Sequence, residues 1–248
     1  YLQAQAIAQG DITSAELVSG YLARIGELDK KTNSVLALNP NALAEAKSVD
    51  KQFASGAELG PLAGIPVLLK DNIESAEMPT TVGSMALINN DTGRDAPIVA
   101  KLKAAGAIIL GKTNTPEFGL LGETRNKLGD DCRNPWNTDM TPGGSSGGAA
   151  VSLVSGMCSL ATGSDGGGSV RVPASFSGVY AIKPTQGRIP RFAGPVSDPI
   201  SNQTSQGGPM ARSVEDAAIL FQAMAGYDPR DVSSLRQPVP DFIGERYY

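Results

Sequence analysis

The stretch GSDGGGSVRVPAS, Gly163 to Ser175, sets a serine behind three consecutive glycines. Lacking Cβ atoms, Gly166, Gly167 and Gly168 leave the backbone free to take positive φ and to come close to a ligand. Successive N–H groups in such a turn converge on one point and form an anion-binding nest. The N–H groups of Gly166, Gly167, Gly168 and Ser169 would then offer an oxyanion hole beside the Ser169 hydroxyl. Two other readings fit GGGS taken alone. One is a phosphate loop, but the spacing and lysine of G-x-x-x-x-G-K-[ST] are missing and no G-x-G-x-x-G follows a clear strand. The other is structural, with glycine allowing a loop to pack tightly on a sheet.

A second cluster, PGGSSGG at Pro142–Gly148, ends 21 residues before Ser169. A helix and a strand fit between the two, so both serine loops can return to one edge of a sheet, where ligands sit in open α/β folds. The chain has no histidine, which excludes serine–histidine chemistry. A serine hydroxyl is a poor nucleophile without an adjacent base. The base with precedent in histidine-free hydrolases is a neutral lysine, and burial favours the neutral amine. Lys70, at the end of the apolar run GIPVLLK, is the best-placed lysine. The competing reading of such a residue is a surface lysine whose stem lies along the fold and whose charge reaches water.

The elements that must position these residues are legible in outline. Thr13-Ser14-Ala15-Glu16 reads as a capping box, with Leu17, Tyr21, Ile25 and Leu28 behind it at helical spacing. A polar helix is expected over Pro40–Ala54. Gly64–Lys70 and Ala107–Leu110 read as buried strands, with a helix from Asp95 and Pro97 to Ala105 between them, closed by Gly106. Val151, Leu153, Val154 and Met157 suit a helix after the Gly-Ser loop. Ser159–Thr162 and Val179–Ile182 suit strands. Ser213 caps a last helix carrying Val214, Ala217, Leu220, Phe221 and Met224, stopped at Gly226. After Asp228 no period survives. Strand, helix, strand at this spacing gives an α/β layer.

Composition narrows the function classes. The 248 residues carry a formal charge of −4, which argues against a nucleic-acid or anionic-membrane partner. Cys132 and Cys158 are expected as free thiols in a reducing compartment, and the localisation expected is cytoplasmic. Without histidine no zinc set can be drawn, and no EF-hand-like loop is present, so neither metal nor other cofactor is expected. No apolar run approaches the ~18 residues of a membrane span, and no secretory signal is visible.

Four linked stretches go beyond generic chemistry: GPLAGIPVLLKDN (60–72), LGKTNTPEFG (110–119), CRNPWNTDMTPGGSSGG (132–148) and GSDGGGSVRVPASFSGVYAIKPTQGRI (163–189). In order and spacing they resemble the amidase signature family of hydrolases. The resemblance implies an α/β amidase-signature fold: a central mixed, largely parallel β-sheet with helices on both faces. It implies a single domain over 1–248 with its signature core at about 60–190. The family's domain is considerably longer, so the C-terminal part is expected to be absent here.

The resemblance also implies a Ser–cis-Ser–Lys triad. Lys70 falls on the lysine of the KDN motif. Ser145 falls on the bridging serine with a cis peptide bond, and Ser169 on the nucleophile. Ser146 would support the loop, and Asp165 and Arg171 would form a structural ion pair. The family motif usually reads DTGGS where this chain has DGGGS, which keeps every N–H donor, and Cys132 stands where threonine is common. The implied activity is hydrolysis of a carboxamide on a small molecule through an acyl-enzyme. A glutaminase component of a tRNA-dependent amidotransferase is the alternative, beside hydrolysis of carbamates, ureas or esters and a non-catalytic binding fragment. The partner implied is the missing C-terminal segment or a second copy of the chain.

Overall fold

The computed structural model describes residues 1–191 and 204–244. The N-terminal half is built as the sequence patterns suggest, with one helix added in front and one short strand between the first two expected helices. Helix α1 covers Leu2–Gln9, and α2 covers Ser14–Thr32, opened by the Thr13/Glu16 capping box. A short strand β1, Val35–Leu38, leads to α3, Ala42–Ala54. Then come β2 (Pro66–Lys70), α4 (Pro97–Ala104) and β3 (Ile108–Thr113). The second half holds α5 (Gly147–Val154), β4 (Leu160–Asp165), α6 (Arg171–Ser177), β5 (Tyr180–Ala181), β6 (Gln206–Ala211) and α7 (Val214–Met224).

The six strands form one mixed sheet in the order β1-β3-β2-β4-β6-β5. Its parallel part is confined to the centre, where β2 lies between β3 and β4 and runs parallel to both. The pairings β1–β3, β4–β6 and β5–β6 are antiparallel. Because β2, β3 and β4 run the same way, the chain leaves all three at the same edge of the sheet. Lys70, Thr113 and Asp165 close the three strands there.

Side chains alternate across a strand, and neighbouring glycines of β6 show which helix lies on which face. A Cβ on Gly207 would meet Ile98 of α4, and one on Gly208 would meet Val170, just ahead of α6. Helices therefore cover both faces. Val67, Leu68, Leu69, Ile109, Leu153 and Leu220 are fully buried between the sheet and these helices. Both cysteines are free and buried, and burial pushes both thiols well above their usual range. Among the described residues no helix is long and apolar enough to cross a membrane.

One close contact fixes the start of α5, directly behind the Gly-Ser loop. A Cβ on Gly148 would lie 2.4 Å from Asn114 N and 2.5 Å from Ser34 O. Both obstacles are backbone and cannot swing aside. Gly148→Ala is expected to cost about 3 kcal/mol through this overpacking. In contrast, Gly26→Ala in α2 meets open space and should gain up to about 1 kcal/mol from helix propensity. Chemical denaturation of the two variants beside wild type checks both signs.

Candidate active site

Lys70 ends β2 with its side chain wholly buried. Its Nζ lies 2.6 Å from Ser145 Oγ and 3.0 Å from Ser164 Oγ. Burial is the main cause that lowers the lysine pKa to about 7; Asp165 pulls it up and Arg191 presses it further down. Chemically, this is an amine that exchanges its proton near neutral pH.

The partners of the amine fix its orientation. Asn72 Nδ2 donates to Ser164 Oγ at 2.9 Å. With one lone pair of Ser164 so occupied, the other is open to an N–H of Lys70. The lone pair of a neutral amine is then free to face the Ser145 hydroxyl. A second buried lysine, Lys112 in β3, is placed differently. Its Nζ donates to Ile73 O at 2.7 Å and Thr80 Oγ1 at 2.8 Å, and Asp71 Oδ1 lies 3.7 Å away. Burial lowers its pKa to about 8 against the pull of Asp71. Its bonds to the Ile73 carbonyl and the Asp71 carboxylate make it a tie between β3 and the loop after β2.

The two Gly-Ser loops meet at this strand edge. The Gly144–Ser145 peptide is cis. Ser146 N donates to Ser169 O at 3.1 Å, joining the loops through the backbone. Ser146 Oγ donates to Ser164 O and accepts from Ser164 N, both at 3.3 Å, and so stitches the first loop to β4. Thr124 holds the same loop from outside: its Oγ1 donates to Gly143 O at 2.8 Å and accepts from Gly147 N at 3.1 Å. Gly119 forms a wall beside the lysine's partner, since a Cβ there would lie 3.3 Å from Ser145 Oγ.

Asp165 anchors the second loop. Its buried carboxylate accepts from Gly168 N at 2.7 Å and Val170 N at 3.3 Å, and from the Arg171 fork at 2.9 and 3.0 Å. Burial alone would raise its pKa, but the Arg171 fork and the two N–H donors outweigh this and hold it at about 2. These bonds also correct one sequence expectation. The Gly168 N–H is bound to Asp165 at 2.7 Å and is not a free donor for an oxyanion in this structure. The physical reason is the carboxylate three residues earlier, which captures the donor needed to close the turn, with Gly168 at φ 116°. Gly166 and Gly167 are exposed, and Ser169 is half-buried. Among the described residues the Ser169 hydroxyl has no hydrogen-bond partner. Lys70 and Ser145 are thus in side-chain contact, whereas Ser169 joins them through its backbone.

Sequence reasoning missed Ser164, Asn72, Thr124 and Arg191. Ser164 and Asn72 lie inside the quoted stretches, and the signal for both was their place at the ends of β4 and β2 beside a candidate acid or base. Thr124 and Arg191 sit in loops with no pattern of their own. Arg191, Asn72, Glu74, Ser164 and Gly207 line a cavity of about 50 Å³ at this edge of the sheet.

The site is thus a mixed α/β sheet carrying a buried amine and two joined Gly-Ser loops at one edge. Residues 16–247 match the family model described as Amidase. The chain is 45 % identical over 239 residues to the A-type component of the glutamyl-tRNA(Gln) amidotransferase of Microcystis aeruginosa (strain NIES-843 / IAM M-2473), an alignment that takes in 96 % of this chain and 49 % of that protein. Among solved structures it resembles a bacterial aryl acylamidase of the amidase signature enzymes, with a TM-score of 0.90 and 33 % identity over 97 % of this chain and 50 % of the other. It is also similar to native peptide amidase from Stenotrophomonas maltophilia, with a TM-score of 0.86 and 38 % identity over 97 % and 50 % of the two chains. The chain therefore belongs to the amidase family, whose signature enzymes share this fold. It spans about half the length of the relatives it matches.

Proposed function

We propose that this chain carries the reacting groups of an amide hydrolase, with Ser169 as nucleophile, Ser145 as proton bridge and Lys70 as base. The observation that carries the reading is the 2.6 Å approach of the Lys70 amine to Ser145 Oγ inside a buried pocket. Neutral Lys70 takes the proton of Ser145 while Ser145 takes that of Ser169. The Ser169 oxygen then bonds to the amide carbon, and the carbonyl π electrons move onto oxygen. The N–H groups of Gly166, Gly167 and Ser169 are the donors left for that oxyanion, each worth about 3 kcal/mol where aligned. Collapse breaks the C–N bond, Ser145 returns a proton to the departing amine or ammonia, and Lys70 restores the proton of Ser145. Water repeats the sequence on the acyl-enzyme and releases a carboxylate. Catalytic hydrogen bonds tighten in the Michaelis complex, which is where the Ser145–Ser169 proton transfer is assigned.

A second reading has specific support. Identity to the amidotransferase component of Microcystis aeruginosa is 45 %, against 33 % and 38 % for the aryl acylamidase and the peptide amidase. Under it the amide is glutamine, and the ammonia set free passes to a partner protein. Phe118, Leu120, Trp136 and Phe176 leave an exposed apolar rim around the Gly-Ser loops. Polypeptide equivalent to the other half of the relatives, or a second copy, would cover that rim.

The test common to both readings is covalent. A fluorophosphonate probe should add one phosphonyl group, found on Ser169 by peptide mapping, and should add none to Ser169→Ala. Labelling of another residue, or no labelling of a folded protein, would rule out Ser169 as the nucleophile. Ammonia release from glutamine, assayed with and without a partner protein, then separates the two readings.

A further inference from the structure

We propose that Arg191 is a positioning residue for the proton chemistry: its fixed positive charge, lining the cavity that also holds the lysine's partner Ser164, keeps the lysine amine unprotonated. The inference rests on the reading of Lys70 as base.

Arg191 is held on two sides. Its backbone N donates to Asp231 Oδ2 at 2.6 Å, and Nη1 donates to Ser205 O at 2.7 Å. Among the described residues no ion pair engages its guanidinium, although the Asp231 carboxylate that holds its backbone favours its charge. It lines the same cavity as Ser164 and Asn72, and Ser164 Oγ is 3.0 Å from the lysine Nζ. The Ser164 hydroxyl, which Asn72 Nδ2 also reaches at 2.9 Å, thus links the lysine amine to the cavity that Arg191 lines. The amide oxygen, Asn72 Oδ1, is buried and has no hydrogen-bond partner among the described residues.

The other charges near Lys70 are engaged elsewhere or act against Arg191. Glu74, the one carboxylate lining the cavity among the described residues, is gripped by Arg94 at 2.9 and 3.1 Å. Asp71 is turned to Lys112. Asp165, at the end of β4, favours the protonated amine and is itself neutralised by the Arg171 fork. Ser145 and Ser164 carry no charge. Arg191 is thus the charge that works with burial to disfavour a second cation in a poorly solvated space.

The experiment compares wild type, Arg191→Met and Arg191→Lys in the protein as expressed, with any polypeptide beyond residue 248 retained. The rate of fluorophosphonate labelling is read from pH 5.5 to 9.5. Wild type should lose reactivity as pH falls through about 7. Arg191→Met should shift this limb upward by about one pH unit. That amounts to a loss of about 8-fold at pH 6.5 and less than about twofold at pH 9. Arg191→Lys should restore the wild-type limb. Arg191→Gln keeps an N–H donor for Ser205 O without the charge, and it carries the test if Arg191→Met does not fold. A limb that stays at the wild-type pH in the neutral variants, or one that moves equally in Arg191→Lys, overturns the proposal. Failure of both neutral variants to fold where Arg191→Lys folds would make Arg191 a structural residue and also overturn it. A flat wild-type profile would instead remove Lys70 as the base, and a label off Ser169 would remove the nucleophile. Those two failures are visible before any Arg191 variant is compared.

Discussion

Ser169→Ala is expected to lower the turnover of a carboxamide substrate by about 10⁴-fold to 10⁶-fold and to leave the melting temperature almost unchanged. The two outcomes have separate physical causes. The loop holding Ser169 is fixed by backbone and by Asp165, not by the serine hydroxyl. Gly168 N, Val170 N and the Arg171 fork all bond to the Asp165 carboxylate, and Ser146 N bonds to the Ser169 carbonyl. None of these is lost when Oγ is removed. What is lost is the atom proposed to form the acyl bond. The residual rate comes from the N–H groups of Gly166, Gly167 and residue 169, which still polarise a carbonyl. Ser145→Ala should fall to a similar level, and the double variant little further, because the two hydroxyls act in one chain of proton transfer. Steady-state kinetics with a simple aryl amide and thermal melts of the same samples decide the matter. Undiminished turnover in Ser169→Ala would end the assignment.

How much of this is legible in the sequence differs from element to element. The helix after Thr13 is readable because its signal is local: a capping box followed by an apolar stripe. β2 and β3 are readable because both are short apolar runs between Gly or Pro residues. β6 is not, because QGGPMA reads as a turn. It is a strand only because Gly207 and Gly208 let Ile98, Ile189 and Val170 approach closely. Pro209 sits within it, where the lost N–H argues against a paired strand, and still accepts from Ile182 N at 3.1 Å. β1 escapes a sequence reading since its four residues are only partly buried at the sheet edge. Helix α6 escapes it because Pro173 and two serines hide a seven-residue stretch of helix. The part of the site carried by backbone, two Gly-Ser loops and a strand-end lysine, lies open in residue type and spacing. The direction of individual donors does not. That Gly168 N–H turns to Asp165 is decided by φ and by distance, which spacing does not encode. Nor does spacing reveal that residue 191 comes round to the cavity beside residue 70.

The buried lysine carries the second large effect, and here both activity and stability respond to pH. Lys70→Met should lower turnover by about 10⁴-fold, since among the described residues no other base is hydrogen-bonded to Ser145, and it should abolish the fall in rate as pH drops through about 7. In the unfolded chain a lysine titrates near about 10.4. The folded pKa is depressed to about 7, so between these values the unfolded state binds the extra proton. Stability therefore rises with pH across that window, and the penalty for burying the charge is present in full below about pH 7. Methionine fills a similar volume and bears no charge. Its substitution removes the penalty while leaving Ser145 and Ser164 without the amine, a pH-independent cost, so the stability of Lys70→Met relative to wild type should be most favourable at pH 6 and should worsen by roughly 4 kcal/mol from pH 6 to pH 10. Denaturant titrations of both proteins at pH 6, 8 and 10 measure the gap. If Lys70→Met were destabilised by the same amount at every pH, the amine would not be titrating in the folded state near neutrality. The proton path through Ser145 would then lose its base.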